Sequence, residues 1–292
     1  MSAPIAVVTV TYSPGDSLTE FLDSLSSATN RPVEVVLADN GSTDDAPEAA
    51  AASRPGVRLH RTGGNLGYGA AANAGVRQTE AEFVVVANPD VVWTPGSLDE
   101  LLAAATRWPD GGAFGPLIHT VDGAVYPSAR ALPSLGRGIG HALCGWWWPG
   151  NPWTATYRAE RSAPAERVAG WLSGSCLLLR RTAFDEVGGF DPAYFMYFED
   201  LDLGERLGRA GWRNIYVPSS VVVHTGGHAT SRNSARMAVE HHRSAWRYLS
   251  RRYQGWRWAP VRWVLRAGLA VRARLAARVP KIAAGAEPRG RG

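Results

Sequence analysis

Ile5-Ala6-Val7-Val8-Thr9-Val10-Thr11 is an apolar, largely β-branched run that stops at Tyr12-Ser13-Pro14-Gly15. Such a run bounded by turn residues reads as a buried strand. The segments downstream of it decide the fold. Leu18, Phe21, Leu22 and Leu25 recur at helical spacing, and Val33 to Ala38 is a second buried strand closed by Asp39-Asn40-Gly41-Ser42. An alanine-rich segment over 46–53 and a short strand from Val57 to His60 come next. A helix from Gly67 to Gln78, a strand from Phe83 to Ala87 and a helix from Leu98 to Trp108 continue the alternation. Strand and helix in turn imply an α/β fold, a Rossmann-like and mostly parallel sheet with helices on both faces.

Beyond about residue 111 the pattern changes. Residues 112–166 are rich in Gly, Pro and Trp and predict irregular loops with short strands. Val168 to Arg181 is strand-like, Asp200 to Ala210 is helical, and Asn214 to Val217 and Val221 to Val223 are two short strands, the second ending at His224. From Ala235 onward the pattern is helical, apart from Pro260 and the end after Pro280.

The chain has 292 residues, 45% of them hydrophobic, enough for one large α/β domain or two modest ones. Its net charge of +5 conceals a split. Residues 1–242 carry 18 Arg against 25 Asp and Glu, a net −7, whereas residues 243–292 carry 13 Lys and Arg against one Glu, a net +12. A basic end on a neutral-to-acidic body points to an anionic partner there. Two cysteines, Cys144 and Cys176, suit neither a metal cluster nor a disulfide scaffold and fit a reduced cytosolic compartment. Met1 to Val10 lacks the order of a signal peptide, and no apolar window of about 18 residues marks a transmembrane helix.

The chemistry gathers at a few places. Phe190 to Phe198 is an aromatic-rich run that leads into Glu199-Asp200-Leu201-Asp202, three carboxylates within four positions. Like charges that close demand a cationic or reactive group opposite. Asn88-Pro89-Asp90 ends the apolar run from Phe83, where an α/β sheet presents ligands, and hard oxygen donors beside a diphosphate suit Mg²⁺ or Mn²⁺. Asp39 to Asp44 closes a buried strand, reading either as a turn that caps a helix or as a place for Asp39 to bind a nucleobase or ribose. Gly63-Gly64-Asn65-Leu66-Gly67-Tyr68-Gly69 leads into a helix N-terminus, a geometry that can cradle phosphate, although it matches neither GxGxxG nor a Walker loop. Of seven histidines, His224 differs by ending an apolar strand.

The set Val7–Tyr12, Asp39–Asp44, Gly64–Gly67, Asn88–Asp90, Gly188–Asp191 and Glu199–Asp202 resembles the family 2 glycosyltransferases of GT-A fold, over residues 5 to about 230. Thr11–Gly15, Pro127–Arg130, Asn151–Thr154 and Trp171–Cys176 are more narrowly similar to the rhamnosyltransferases of the mycobacterial-type cell-wall linker. That likeness runs to about residue 275. It implies a metal-dependent, inverting transferase moving L-rhamnose from dTDP-L-rhamnose to N-acetylglucosaminyl-diphospho-polyprenol. By residue, it implies Thr11, Tyr12 and Asp39 around the thymine nucleoside and Asn65, Asn73 and Asn88 in the nucleotide cleft. Asp90 and His224 would hold a divalent cation (Mg²⁺ or Mn²⁺), Asp200 would be the base, and Trp171 with Glu199 would face the acceptor. Asn88 departs from the many members with Asp there, so the metal site has one charge fewer. Glu199 and Asp202 should raise the pKa of Asp200. Two other readings remain open: another donor such as UDP-galactofuranose, or a non-catalytic module that binds a sugar nucleotide.

On this reading residues 1–232 form the catalytic domain, with a nucleotide-binding half over 1–110 and an acceptor-binding half over 111–232. Residues 233–292 form a helical, basic, membrane-associating segment with a flexible end. In it Val264, Gly268, Val271, Leu275 and Val279 share one face, Arg262, Arg266, Arg274 and Arg278 lie opposite, and Arg272 breaks the apolar face. Trp256, Trp258 and Trp263 cluster near the start, as interfacial aromatics do. A lipid-diphosphate acceptor stays in the bilayer, which places the enzyme peripherally on the cytoplasmic face of the plasma membrane. No aromatic-basic motif for nucleic acid is present. Gln254-Gly255-Trp256-Arg257-Trp258 spells the QxxRW of processive synthases, but without the transmembrane helices that thread their polymers.

Overall fold

The structure is a computed structural model that describes residues 5–133, 164–226 and 234–278; Cys144, Asn151–Thr154 and Val279 lie outside them. Contacts divide the chain into two compact units, Met1–Arg232 and Asn233–Gly292.

The first unit opens with β1 (Ile5–Thr11), α1 (Ser17–Ala28), β2 (Val33–Asp39), α2 (Ala46–Ser53), β3 (Val57–Arg61), α3 (Tyr68–Val76) and β4 (Phe83–Ala87). It continues through β5 (Val91–Trp93), α4 (Ser97–Arg107), β6 (Gly111–Thr120), β7 (Val125–Tyr126) and β8 (Ala129–Arg130). After the undescribed stretch come β9 (Arg167–Ala169), β10 (Trp171–Leu172), β11 (Cys176–Arg180), α5 (Arg181–Glu186), α6 (Glu199–Arg209) and β12 (Arg213–His224). The main sheet runs β3-β2-β1-β4-β11-β6-β12-β5, with β7 on β6 and β9 on β12. Strands β1 to β4 pair in parallel, as do β6 and β12. β11 enters antiparallel between β4 and β6, and β5 lies antiparallel on β12. β8 and β10 form a small separate ribbon.

Alternate residues of each strand feed two apolar layers, because successive side chains point to opposite faces. Ile5 and Val7 pack with Leu18 and Phe21 of α1, Ala50 of α2 and Leu98 of α4. Ala6, Val8 and Val10 pack with Ala71 and Val76 of α3, Phe184 of α5 and Leu203 of α6. The small residues of α3 serve close approach: a Cβ on Gly75 would stand 2.4 Å from Val8 Cγ1.

The C-terminal half corrects the sequence reading in three places. Gly111–Thr120, expected to be irregular, is a mostly buried ten-residue strand inside the sheet. Its glycines look like breakers but answer to packing, since Cβ atoms on Gly112 and Gly115 would press on Trp212 and Leu172. Pro116 is tolerated because β12 bulges there, between Val217 and Val221, joining what read as two strands into one. The strand-like run 168–181 breaks at Gly170 and Ser173–Ser175 into β9, β10 and β11.

The second unit contains α7 (Ser234–Arg252), a 3₁₀ turn at Trp256–Trp258 and α8 (Ala259–Arg278). Pro260 stands in the first turn of α8, where its missing N–H breaks no helical bond. Arg262 donates from Nη1 to the carbonyls of Tyr253 (2.8 Å) and Gly255 (2.7 Å), and Arg266 stacks 5.7 Å over the Trp246 ring. Two of the four arginines assigned to an outward charged face are therefore engaged within the unit. Trp256, Trp263 and Val264 are 82%, 69% and 72% exposed. No helix among the described residues is long and apolar enough to cross a membrane.

Candidate active site

The carboxyl ends of β1, β2 and β3 bring the first group of residues together. Thr11 donates from Oγ1 to Asp39 Oδ1 (3.1 Å), which also accepts the Ser42 backbone N–H (3.1 Å), while Arg61 lies 3.8 Å from Asp39 Oδ2. Thr11, expected beside the nucleoside with Tyr12 and Asp39, is fully buried with its hydroxyl on Asp39, whereas Tyr12 is 46% exposed. Asn40, which the sequence reading did not single out, pins the glycine loop. Its Oδ1 accepts from Leu66 N (2.8 Å), and its Nδ2 donates to Asn65 Oδ1 (3.1 Å). Gly67 has φ +87°, and a Cβ there would lie 2.3 Å from the Phe195 carbonyl oxygen, so the loop presses directly on the 190–198 segment. Asn73 stands apart from this group. Both polar ends of its amide meet the Phe190 backbone, with Nδ2 donating to O (2.7 Å) and Oδ1 accepting from N (2.9 Å). It clamps α3 to that segment instead of lining the nucleotide cleft.

Asn88, Asp90 and His224 form a second group. His224 Nε2 lies 3.0 Å from Asp90 Oδ1 and 3.3 Å from Asn88 Nδ2. That nitrogen is either a donor or an acceptor, so as drawn it satisfies one neighbour at a time. Two donors on adjacent corners of an octahedral ion, each about 2.1 Å away, are about 3.0 Å apart, so the separation fits a shared divalent cation. An imidazole nitrogen beside a carboxylate suits Mn²⁺ better than the strictly oxygen-seeking Mg²⁺. Among the described residues no three His, Cys, Asp or Glu side chains converge as a metal cage, so a cation here would draw further ligands from substrate oxygens.

The third group sits on the first turn of α6, which comes after Tyr197 and Phe198 at φ +67° and +68°. Left-handed backbone at a non-glycine residue costs on the order of 1–3 kcal/mol, and here it aims the helix N-terminus and its carboxylates. Asp200 accepts from Gly174 N at Oδ2 (2.9 Å) and Leu201 N at Oδ1 (2.8 Å). Burial raises its pKa, while those N–H bonds and the charge of Arg130 pull it back. Asp202 plays no part in this, contrary to expectation, because Arg206 one turn on holds it at 2.6 Å. Glu199, expected to face the acceptor, is buried instead. Its Oε2 has no hydrogen-bond partner among the described residues, and burial, with Asp200 beside it, pushes its pKa up to about 8. A folded pKa above the unfolded one means that the folded state holds a proton which the unfolded chain has released. Stability from this group is complete below the ordinary carboxylate range and is lost as pH rises toward 8. Glu199→Gln is therefore expected to gain thermal stability over wild type between about pH 5 and pH 8.5. Melting curves at the two pH values check this; an unchanged gap would mean a charged Glu199 in the folded protein.

One short turn joins the second and third groups. Ser175 O accepts from Asn88 N (2.9 Å), Gly174 N holds Asp200, and Gly174 O accepts from the Tyr68 hydroxyl (2.7 Å). Burial, then Glu199, Asp200 and Asp90, raise the Tyr68 pKa well above its usual value, so it stays a neutral donor among three carboxylates. Trp171 packs against α6, where a Cβ on Gly204 would stand 2.8 Å from Trp171 Cβ. Sequence reasoning missed Tyr68 and the roles within Ser173-Gly174-Ser175. The only signal was their position inside quoted motifs.

Known proteins share the fold and the sequence pattern of this chain. The family model "Glycosyl transferase family 2" matches residues 6–188, and "Glycosyl transferase family group 2" matches 153–278. The N-acetylglucosaminyl-diphospho-decaprenol L-rhamnosyltransferase of Mycobacterium tuberculosis is 56% identical over 289 residues, spanning 95% of this chain and 94% of the relative. Among solved structures, the mannosyltransferase PcManGT from Pyrobaculum calidifontis, in complex with GDP-Man and Mn²⁺, aligns at TM-score 0.56 with 22% identity, covering 97% of this chain and 76% of that one. GalNAc-T7 with UDP, GalNAc and Mn²⁺ aligns at TM-score 0.58 with 16% identity, covering 77% and 44%.

Proposed function

This chain belongs to glycosyl transferase family 2, and from that premise we propose that it moves L-rhamnose from dTDP-L-rhamnose to an N-acetylglucosaminyl-diphospho-polyprenol in cell-wall linker synthesis. The choice of sugar pair leans on the near full-length 56% identity to the mycobacterial enzyme. The observation that carries the chemistry is the Ser173–Ser175 turn, which ties Asp200 to the Asn88–Asp90 strand end through two backbone hydrogen bonds.

Asp39 and the glycine loop hold the nucleoside, and Asp90 with His224 would hold a divalent cation, Asn88 standing beside them. When bound there, the cation supplies Lewis-acid charge for the departing diphosphate. Asp200 accepts the proton of an acceptor hydroxyl as its oxygen bonds to the sugar's anomeric carbon and the bond from that carbon to dTDP breaks. A single displacement of this kind inverts the configuration. Glu199, carrying the proton, leaves the negative charge on Asp200, which is then the free base of the pair.

The exposed Trp256, Trp263 and Val264, with the basic character of residues 243–292, support a peripheral seat on the inner membrane face. A donor screen with dTDP-rhamnose, UDP-galactofuranose and UDP-glucose on a short-chain N-acetylglucosaminyl-diphospho-prenol tests the reading. The expected result is a kcat/KM for dTDP-rhamnose at least about a hundredfold above the others. Preference for a UDP-sugar would replace the rhamnosyl assignment.

A further inference from the structure

Arg130 stands at the acceptor side of the site with no ion-pair partner among the described residues. It pairs with Trp171 across the β8–β10 ribbon, and its guanidinium carbon lies 5.4 Å from the Trp171 ring and 5.6 Å from the Tyr126 ring. Nε donates to the Pro127 carbonyl (2.8 Å), while the terminal amino groups make no hydrogen bond among the described residues. Two aromatic faces hold such a cation flat and leave its in-plane N–H edge for an anion. Tyr126, one of those faces, lines an open hollow of about 560 Å³ together with Thr120, Asp122, His224 and Thr225. Trp171, the other, packs on α6, the helix that carries Asp200.

We propose that Arg130 anchors the diphosphate of the lipid-linked acceptor, and so selects phosphorylated acceptors over neutral ones. The inference rests on the proposed function for the identity of the acceptor. A guanidinium fork matches phosphate oxygens bidentately. The anomeric diphosphate of the acceptor sugar lies across one pyranose ring from its hydroxyls. An anchor on the Trp171 side therefore leaves a hydroxyl free to meet Asp200. The donor diphosphate would be served elsewhere, by the cation that Asp90 and His224 would hold, so the two diphosphates would have separate positive partners. Arg130 is a specificity-determining residue on this account and takes no proton.

Arg130→Met keeps the stacked stem without charge, and Arg130→Lys keeps charge without the fork. With dTDP-rhamnose as donor, each is assayed on N-acetylglucosaminyl-diphospho-farnesol and on the uncharged octyl N-acetylglucosaminide. The expected result is a KM for the diphosphate acceptor raised roughly ten- to a hundredfold more than that for the octyl glycoside in Arg130→Met, and less in Arg130→Lys, because any loss through the Arg130 charge on Asp200 falls on both acceptors alike. An equal loss on both acceptors, or none on either, overturns the inference. A second measurement is independent of donor identity: farnesyl diphosphate titrated in EDTA should bind wild type at least about tenfold more tightly than Arg130→Met. Equal binding overturns the anchor. Wild type that transfers no rhamnose yet shows this binding difference would sink the rhamnosyl reading and leave the anchor standing.

Discussion

Asp200→Asn is expected to cut kcat at least about a thousandfold while dTDP binds within about twofold of wild type. The substitution keeps the shape and the acceptor capacity of Oδ1 toward Leu201 N, but it removes the basic electron pair that takes the acceptor proton. Its cost should fall on turnover and not on the nucleotide, whose proposed place is at Asp39 and the glycine loop, away from Asp200. The pH profile gives an independent reading. Burial raises the pKa of Asp200, so kcat/KM should rise with pH as the Asp200 carboxyl gives up its proton. In the Asn variant the residual rate should lose this slope. Near-normal turnover by Asp200→Asn would remove it from the mechanism.

Asp90→Ala should act on the donor side. The Asp90–His224 separation of 3.0 Å fits a shared cation, so the clearest readout is nucleotide binding with and without metal. Wild type is expected to bind dTDP roughly ten- to a hundredfold more tightly in Mn²⁺ than in EDTA, and Asp90→Ala to bind equally in both. kcat/KM for the donor should fall at least about a hundredfold. Because Thr225 hangs on the Asp90 backbone carbonyl and not its side chain, the local fold should survive the change. A manganese dependence of binding retained in Asp90→Ala would move the metal site elsewhere.

The parallel half of the fold was readable because its signals are local. β1 to β4 and their helices came out within a residue or two, since each apolar run ends at turn residues and each helix buries a regular stripe such as Leu18, Phe21, Leu22 and Leu25. β6 was not readable. Its glycines and proline have the composition of a loop, and only the neighbours Trp212, Leu172 and the β12 bulge make a strand there sensible. β5, with three residues, is too short to show a period.

By itself, the sequence determined the alternation, the family likeness, and where the chemical residue types stand: Asp39, Asp90 and His224 at or beside strand ends and Asp200 at the start of a helix. Those stem from chemistry carried by neighbouring positions along the chain. Only the tertiary structure decided what each one does. It set Thr11 under Asp39, turned Asn73 onto the Phe190 backbone, paired Asp202 away with Arg206, and buried Glu199 beside Asp200. The Thr11–Asp39 and Asn73–Phe190 contacts join groups 28 and 117 residues apart, and the burial of Glu199 depends on what the fold packs over it, so spacing along the chain holds no record of them. The Asp202–Arg206 pair is one helical turn long, and there the structure decided only which of the three carboxylates the arginine takes.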